Sequence, residues 1–509
     1  MEVLHLNNLE DGILIKIFSM VVGPSRVEFN PFFGGFFRGL AELEPTVASG
    51  FHNILMLPQV CWRWRKLVDT SPSLWKVVFV GQPEDDLLDP PSIHPVVSIP
   101  WWAKHSTGIE SAHIRGDKTK LDGALDTYNL GVVSLLSRKK LRVLHLDDCF
   151  TCGATRTLLP MLMCLKNLEQ LQVGPAKDEF ISGANCLTAL TKLRVLELQG
   201  MENACIAMSS EFLPISLEVL GLGALDVDAH GGDRYLTNLK VLQLVEVDWK
   251  GPFCGHLEHL PNLKELILSD VFHLEEEFVE TEFLPHDLVK LSGLANLTHL
   301  EVQGDLGRDL EKREQGFFER LGEELVGCPP FLSLERLCLS LWSLKEMSPD
   351  FAQYENLTHL QLEGFIFGEV PEAILELPLL CDLGMTWCDL KSFPDVVPKC
   401  AETIRHLRLS DNNFDDIPTG LRHWTGIKTL DLSQEGLALG EGILFLLDMP
   451  NIESVRLSKG KTRVALSSLN NEGFPEEVKE LCHDVATAFR FGFLCGELQS
   501  RVPQCRVYI

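Results

Sequence analysis

Residues 141–146 read LRVLHL, and the same six-residue form, L-x-x-L-x-L, returns along the chain. It stands at LEQLQV (168–173), LRVLEL (193–198), LEVLGL (217–222), LKVLQL (239–244), LKELIL (263–268) and LTHLEV (297–302). It continues at LERLCL (334–339), LTHLQL (357–362), LCDLGM (380–385), IRHLRL (404–409), IKTLDL (427–432) and IESVRL (452–457). Those thirteen copies lie mostly 22 to 27 residues apart, with intervals of 34 and 37 on either side of the copy at 297. IESAHI (109–114) reads as a degenerate first copy. Self-similarity at such a period marks a solenoid, so the repeat decides the fold.

The hexamer has the proportions of a short strand. A side-chain period of two turns positions four and six inward and leaves three and five facing outward. A single strand of this length cannot bury its leucines, but stacked neighbours share a continuous core. RLSDNNFDDIP (408–418) shows the whole device: strand, turn at Asn412, a returning segment that buries Phe414 and Ile417, then Pro418. At ~4.8 Å between strands, the array makes a sheet about 58 Å along its concave side. A surface of that size suits macromolecular partners better than small metabolites.

This pattern resembles the leucine-rich-repeat family over about 360 residues. The resemblance implies an α/β horseshoe of about 13–14 repeats spanning 109–470. The long intervals hold HLEEEFVETEFLPHDL (273–288) and DLGRDLEKREQGFFERLGEEL (305–325). In the second, Phe317, Leu321 and Leu325 recur every four residues, which predicts a convex helix with one apolar stripe.

Composition bounds the class. The 509 residues carry 45% hydrophobic and 23% charged side chains, as ordinary globular chains do. A net charge of −27 argues against nucleic acid or an anionic membrane as partner. Fifteen cysteines without framework spacing read as reduced thiols of a cytoplasmic or nuclear protein. MEVLHLNNLEDG has acids where a signal peptide would carry basic residues, and no apolar run reaches membrane length.

Ahead of the array, LPQVCWRWRKLVDTSPSLW (57–75) holds three of the nine tryptophans. Two amphipathic segments are expected there. One places Leu9, Ile13, Leu14, Ile17 and Phe18 on a helical face. The other runs from about 52 to 68 with Leu57, Val60, Cys61, Trp64 and Leu67 at helical spacing, and Pro72, Leu74 and Trp75 follow. A unit this small needs a staple or a partner to be stable. These residues resemble the F-box family, whose three helices dock on an adaptor of the S-phase-kinase-associated type and, through it, a cullin scaffold. The match departs at Glu10 and Gly12, at Pro58, and at an inserted stretch, 23–50. The expected domains are therefore a small three-helix F-box (1–80), a linker and N-terminal cap (81–108), the solenoid (109–470) and a C-terminal cap (471–509). Trp101 and Trp102 are expected to lid the first repeat, and an apolar helical face within 476–494 to seal the last.

Chemistry is scarce. CFTC (149–152) has metal spacing, but Cys149 occupies the repeat turn that Asn412 fills later, and no second pair follows. Cys254, His256 and His259 lie close in sequence without a fourth ligand. No phosphate-loop, HExxH or GxSxG motif occurs. No metal, cofactor or catalytic residue is expected. The sequons at 296–298 and 356–358 both enter a strand, so glycosylation is not expected. Specificity belongs to the outward positions. His299, His359 and His406 occupy position three, and Arg405, Arg408, Lys428 and Arg456 add a basic cluster, diluted by Asp431 and Glu453, that reads either as a mixed solvated surface or as a site for an acidic or phosphorylated segment. Gln172, Glu197, Gln243, Glu301 and Gln361 make the middle neutral to acidic.

The resemblances imply a non-catalytic substrate-recognition subunit of an SCF-type ubiquitin ligase, holding a protein substrate on the concave face for ubiquitination and proteasomal degradation. The alternatives are an interaction scaffold independent of ubiquitin and a small-molecule-gated F-box receptor.

Overall fold

In this computed structural model the described residues are 103–115, 141–147, 155–174, 184–200, 211–228, 235–250, 259–269, 294–303, 332–340, 345–434 and 451–456, together with 14–16, 18, 63–64, 66–67, 71, 74, 76–80, 130–136, 140, 205–207, 257, 272–273, 449 and 506–508. The chain divides into two compact units, one built on 1–263 with 271–278 and the other on 264–270 with 279–509. No helix among the described residues is long and apolar enough to cross a membrane.

Each hexamer forms a strand. In the first unit these are β2 (Ser111–Arg115), β3 (Val143–Asp147), β4 (Gln170–Gly174), β5 (Val195–Gln199), β7 (Val219–Asp228) and β8 (Val241–Lys250), after β1 (Val77–Val80) and with the short β6 (Cys205–Ala207) between. β1 pairs in parallel with β2, so the sheet begins inside the segment expected to belong to the N-terminal module. The ladder continues through β3, β4, β5, β7 and β8, all parallel. β7 and β8 bend together at Ala224 and Glu246, where φ is 51° and 54°.

The second unit starts at β9 (Glu265–Ser269), while β10 (Phe272–His273) returns to pair with β8. Its ladder runs β9, β11 (His299–Gln303), β12 (Arg336–Ser340), β13 (His359–Glu363) and β14 (Asp382–Thr386). It ends through β15 (His406–Arg408), β16 (Thr429–Asp431), β17 (Ser454–Arg456) and β18 (Arg506–Tyr508). Neighbouring hexamers stay in register, so equal positions sit side by side. The parallel-strand solenoid expected from the repeat is what the chain forms.

The core follows the pattern. Positions one, four and six are buried in repeat after repeat, as at Leu193, Leu196 and Leu198, all 0% exposed. Ile109, Ala112 and Ile114 are equally buried, so the degenerate copy at 109 is a full member. Two further buried residues precede several of the strands at three-residue spacing, as in Leu257–Leu260–Leu263 and Phe351–Tyr354–Leu357. Their amides bond back three residues, which tightens the return into 3-10 turns. Helix is sparse among the described residues; α1 (Thr155–Leu162) and α2 (Glu372–Leu375) lie in returns, and short helical stretches stand at 14–16, 103–105 and 130–135.

Two polar devices lock the repeats. The residue just before each hexamer is Asn, Ser or Thr in many copies, and its side chain bonds a carbonyl one repeat earlier. Asn238 donates to Ile215 O, Asn262 to Thr237 O, Asn356 to Leu332 O and Asn451 to Thr425 O. Asn356 of the second sequon is thus spent on packing. At the turn, Asn412 is 5% exposed and fully used. Its Oδ1 accepts from the Cys388 and Leu390 amides, and its Nδ2 donates to Met385 O and Leu409 O. Phe414 and Ile417 are buried as expected.

Candidate functional site

Parallel register turns outward positions three and five into two rows across the strands. In the second unit, position three brings Glu265 beside His299 and His299 beside Arg336, while position five brings Glu301 beside Cys338. The His299 ring lies between two carboxylates. Its Nδ1 is 3.9 Å from Glu265 Oε2, and its Nε2 is 3.8 Å from Glu301 Oε2. One donor atom each from His299, Glu301 and Cys338 lies within 4.8 Å of the others.

The electrostatics are those of a partly dry site. Burial, helped by the Arg336 and His359 charges, lowers the His299 pKa to about 4, so the ring is neutral near pH 7. The contacts to the two glutamates are therefore not ion pairs. Burial raises Glu265 to about 7 against the pull of Arg336, and it raises Glu301 as well. Cys338 is pushed to about 12 by burial and by Glu301. Glu265 is 4% exposed, and its Oε2 has no hydrogen-bond partner. A buried acceptor without a donor is costly and marks a place to look for function.

The expected basic cluster is present but internally spent. Arg408 pairs with Asp382 at 3.1 Å, Lys428 with Glu453 at 2.7 Å and Arg456 with Asp431 at 3.3 Å. His406 Nδ1 meets Thr429 Oγ1 at 2.7 Å, and His359 Nδ1 meets Thr358 Oγ1 at 2.9 Å. Arg405 turns to the backbone, donating to the carbonyls of Glu402, Ile404 and Gly426. A Cβ at Gly426 would lie 2.6 Å from Arg405 Nη1, so this bond needs glycine there. An anion docking here must compete with acids supplied by adjacent repeats.

The first unit differs from expectation. His113, His145, Gln172 and Glu197 occupy position five on consecutive strands, and each is 5% exposed. Gln172 and Glu197 are thus buried rather than solvated, because in-register neighbours flank each one on both sides. The His113 and His145 rings meet edge to face at 4.3 Å, and Gln170 Nε2 reaches His145 Nε2 at 3.2 Å. Burial drops His113 to about 4 and also lowers His145, which His113 pushes further down; it lifts Glu197 to about 8. The row is uncharged at neutral pH. Gln243, Glu301 and Gln361 remain half-buried.

Toward the N-terminus, Leu14, Phe18, Leu67 and Leu74 are buried, at 0%, 1%, 7% and 2% exposure. The Phe18 and Trp64 rings pack edge to face at 4.8 Å, so the two amphipathic segments meet. The remaining expected docking positions, Leu9, Ile13, Ile17, Leu57, Val60, Cys61, Pro72 and Trp75, lie outside the described residues. So do 23–50, Trp101, Trp102, the CFTC stretch, Cys254, His256, Phe317, Leu321, Leu325 and 476–494.

No protein-family model matches this chain, and no curated protein does. Solved structures resemble it slightly. An internalin of Listeria monocytogenes is 15% identical, with 70% of this chain and 83% of its own covered and a TM-score of 0.38. A leucine-rich-repeat protein of Leptospira interrogans is 15% identical over 80% of this chain and 91% of its own, at 0.39. The Toll–Spatzle complex, a hub in Drosophila development and innate immunity, is 13% identical over 70% and 44%, at 0.43. The architecture is a leucine-rich-repeat solenoid, and that statement rests on the hexamer strands themselves.

Proposed function

We propose that this chain is a non-catalytic protein-binding platform, working in the cytoplasm or nucleus as the substrate receptor of an SCF-type ubiquitin ligase. The outward rows would hold the substrate, and the N-terminal helices would dock the adaptor and, through it, a cullin scaffold. Its contribution would be proximity at an acceptor lysine. The observation that supports this reading is the Phe18–Trp64 contact, which brings together segments on either side of the 23–50 insertion, as the F-box resemblance would need. The test is co-precipitation of the full chain with the adaptor, expected to succeed and to fail for residues 77–509. Equal recovery of both chains, or of neither, overturns it.

A second reading has its own support. Leu14, Phe18, Leu67 and Leu74 are already covered within this chain, so an adaptor would have to bind other positions. An interaction scaffold independent of ubiquitin needs no adaptor surface. A small-molecule receptor needs a cavity beside the outward rows. A cleft of about 490 Å³ lined by Met347, Phe367, Pro371 and Glu376 lies among the returns of the second unit.

A further inference from the structure

We propose that the outward face of the second unit binds a divalent transition-metal ion, zinc by ligand preference, through His299 Nε2, a Glu301 carboxylate oxygen and Cys338 Sγ. An imidazole, a thiolate and a carboxylate form the mixed nitrogen–sulfur–oxygen set that zinc takes. The three donor atoms already lie within 4.8 Å of one another, and the Nε2–Glu301 pair is at 3.8 Å. Tetrahedral zinc with bonds of about 2.0–2.3 Å sets its ligand atoms about 3.3–3.8 Å apart. Closing the present spacing takes side-chain shifts of about 1 Å, within reach of rotations at the Glu301 and Cys338 side chains.

An independent observation points to the same ion. Glu265 Oε2, buried and without a hydrogen-bond partner, faces His299 Nδ1 from 3.9 Å. A carboxylate behind the far ring nitrogen, once closed to hydrogen-bonding range, would hold a metal-bound imidazole in one tautomer, with Nδ1 donating and Nε2 free for the ion. Charge closes as well. Two carboxylates and a thiolate total three negative charges, which a dication and the Arg336 guanidinium, in register with His299, neutralise. The sheet supplies the preorganisation: Glu265, His299 and Cys338 come from three consecutive strands, held by an unbroken parallel ladder. Three protein ligands leave a fourth position for water. The His299 and Glu301 side chains are 12% and 24% exposed, enough for that water to reach it.

The test uses the purified full chain, stripped with chelator under reducing conditions and titrated with cobalt(II), then zinc. One equivalent of cobalt should bring up a thiolate-to-cobalt charge-transfer band, and zinc should abolish it. Cys338→Ser should lose the band. His299→Gln should weaken binding at least 100-fold. Glu265→Gln should keep the band with affinity reduced roughly 10–100-fold, as for a group that orients a ligand. Zinc should raise the Tm of the parent chain and leave that of Cys338→Ser unchanged. Far-UV circular dichroism confirms folding, and His299→Gln stands in if Cys338→Ser fails to fold. A parent chain without the band, or a band equally strong in Cys338→Ser or His299→Gln, overturns the site.

Discussion

In the first unit, position five runs His113, His145, Gln172, Glu197, and position three on the same strands runs Ser111, Val143, Gln170, Val195, with valines again at 219 and 241. In the second, position three runs Glu265, His299, Arg336, His359, Asp382, His406, and position five carries Glu301, Cys338 and Arg408. Both units use the same hexamer in the same register. Valines beside the first row help to strip its polar groups of water, and neutral protonation states are the cheapest response. In the second row opposite charges also sit side by side, as Arg408 and Asp382 do, while burial still holds His299 neutral and raises Glu265 and Glu301. One scaffold thus makes two electrostatic environments from the residues at two positions per repeat.

If the core is common and only the rows differ, equivalent core truncations should cost alike. Leu196→Ala in the first unit and Leu360→Ala in the second remove side chains that are 0% and 1% exposed. Each is expected to lose about 2–5 kcal/mol in urea unfolding. Costs differing by several kcal/mol would break the comparison at its base. Asn412→Leu should come next, at about 2–4 kcal/mol, because the buried Cys388 and Leu390 amides lose their acceptor.

The pH response separates the rows more finely. Glu197 titrates at 4.5 when unfolded and about 8 when folded. Between those values the folded state keeps a proton that the unfolded state has lost, so stability falls as pH rises through the window. His113 goes the other way, from 6.5 unfolded to about 4 folded, and costs stability as pH drops through that range. From pH 6.5 to 8 Glu197 should cost the first unit about 2 kcal/mol, while Glu265 of the second unit titrates in the same window. Glu197→Gln should flatten that limb in thermal melts at pH 6.5 and 8. A Glu197→Gln curve parallel to the parent would mean the row is ionised after all. The smallest effect belongs to the second row: Arg408→Ala breaks a half-exposed pair with Asp382 and should change stability by less than about 1 kcal/mol in the same assay.

Much of the fold was legible. The repeated L-x-x-L-x-L placed every strand of the array except β1, β6, β10 and β18, and Phe414 and Ile417 were correctly read as buried returns. The Asn before Leu239, Leu263, Leu357 and Ile452 was a further signal that went unread, since its role appears only when the preceding repeat supplies a carbonyl. The basic residues were seen, with Asp431 and Glu453 among them, but not the pairing: Asp382 lies one repeat before Arg408, and Glu453 one repeat after Lys428. Cys338 carried no motif, because its nearest companions, Glu301 and His299, lie across one of the two long intervals.

Periodicity alone determined that this chain stacks parallel strands over a leucine core, because burying apolar area requires only that the right positions recur. Tertiary structure decided which polar side chains meet. Register sets residues from different repeats side by side at hydrogen-bonding range, while hydration, and with it charge, depends on neighbours that are distant in sequence.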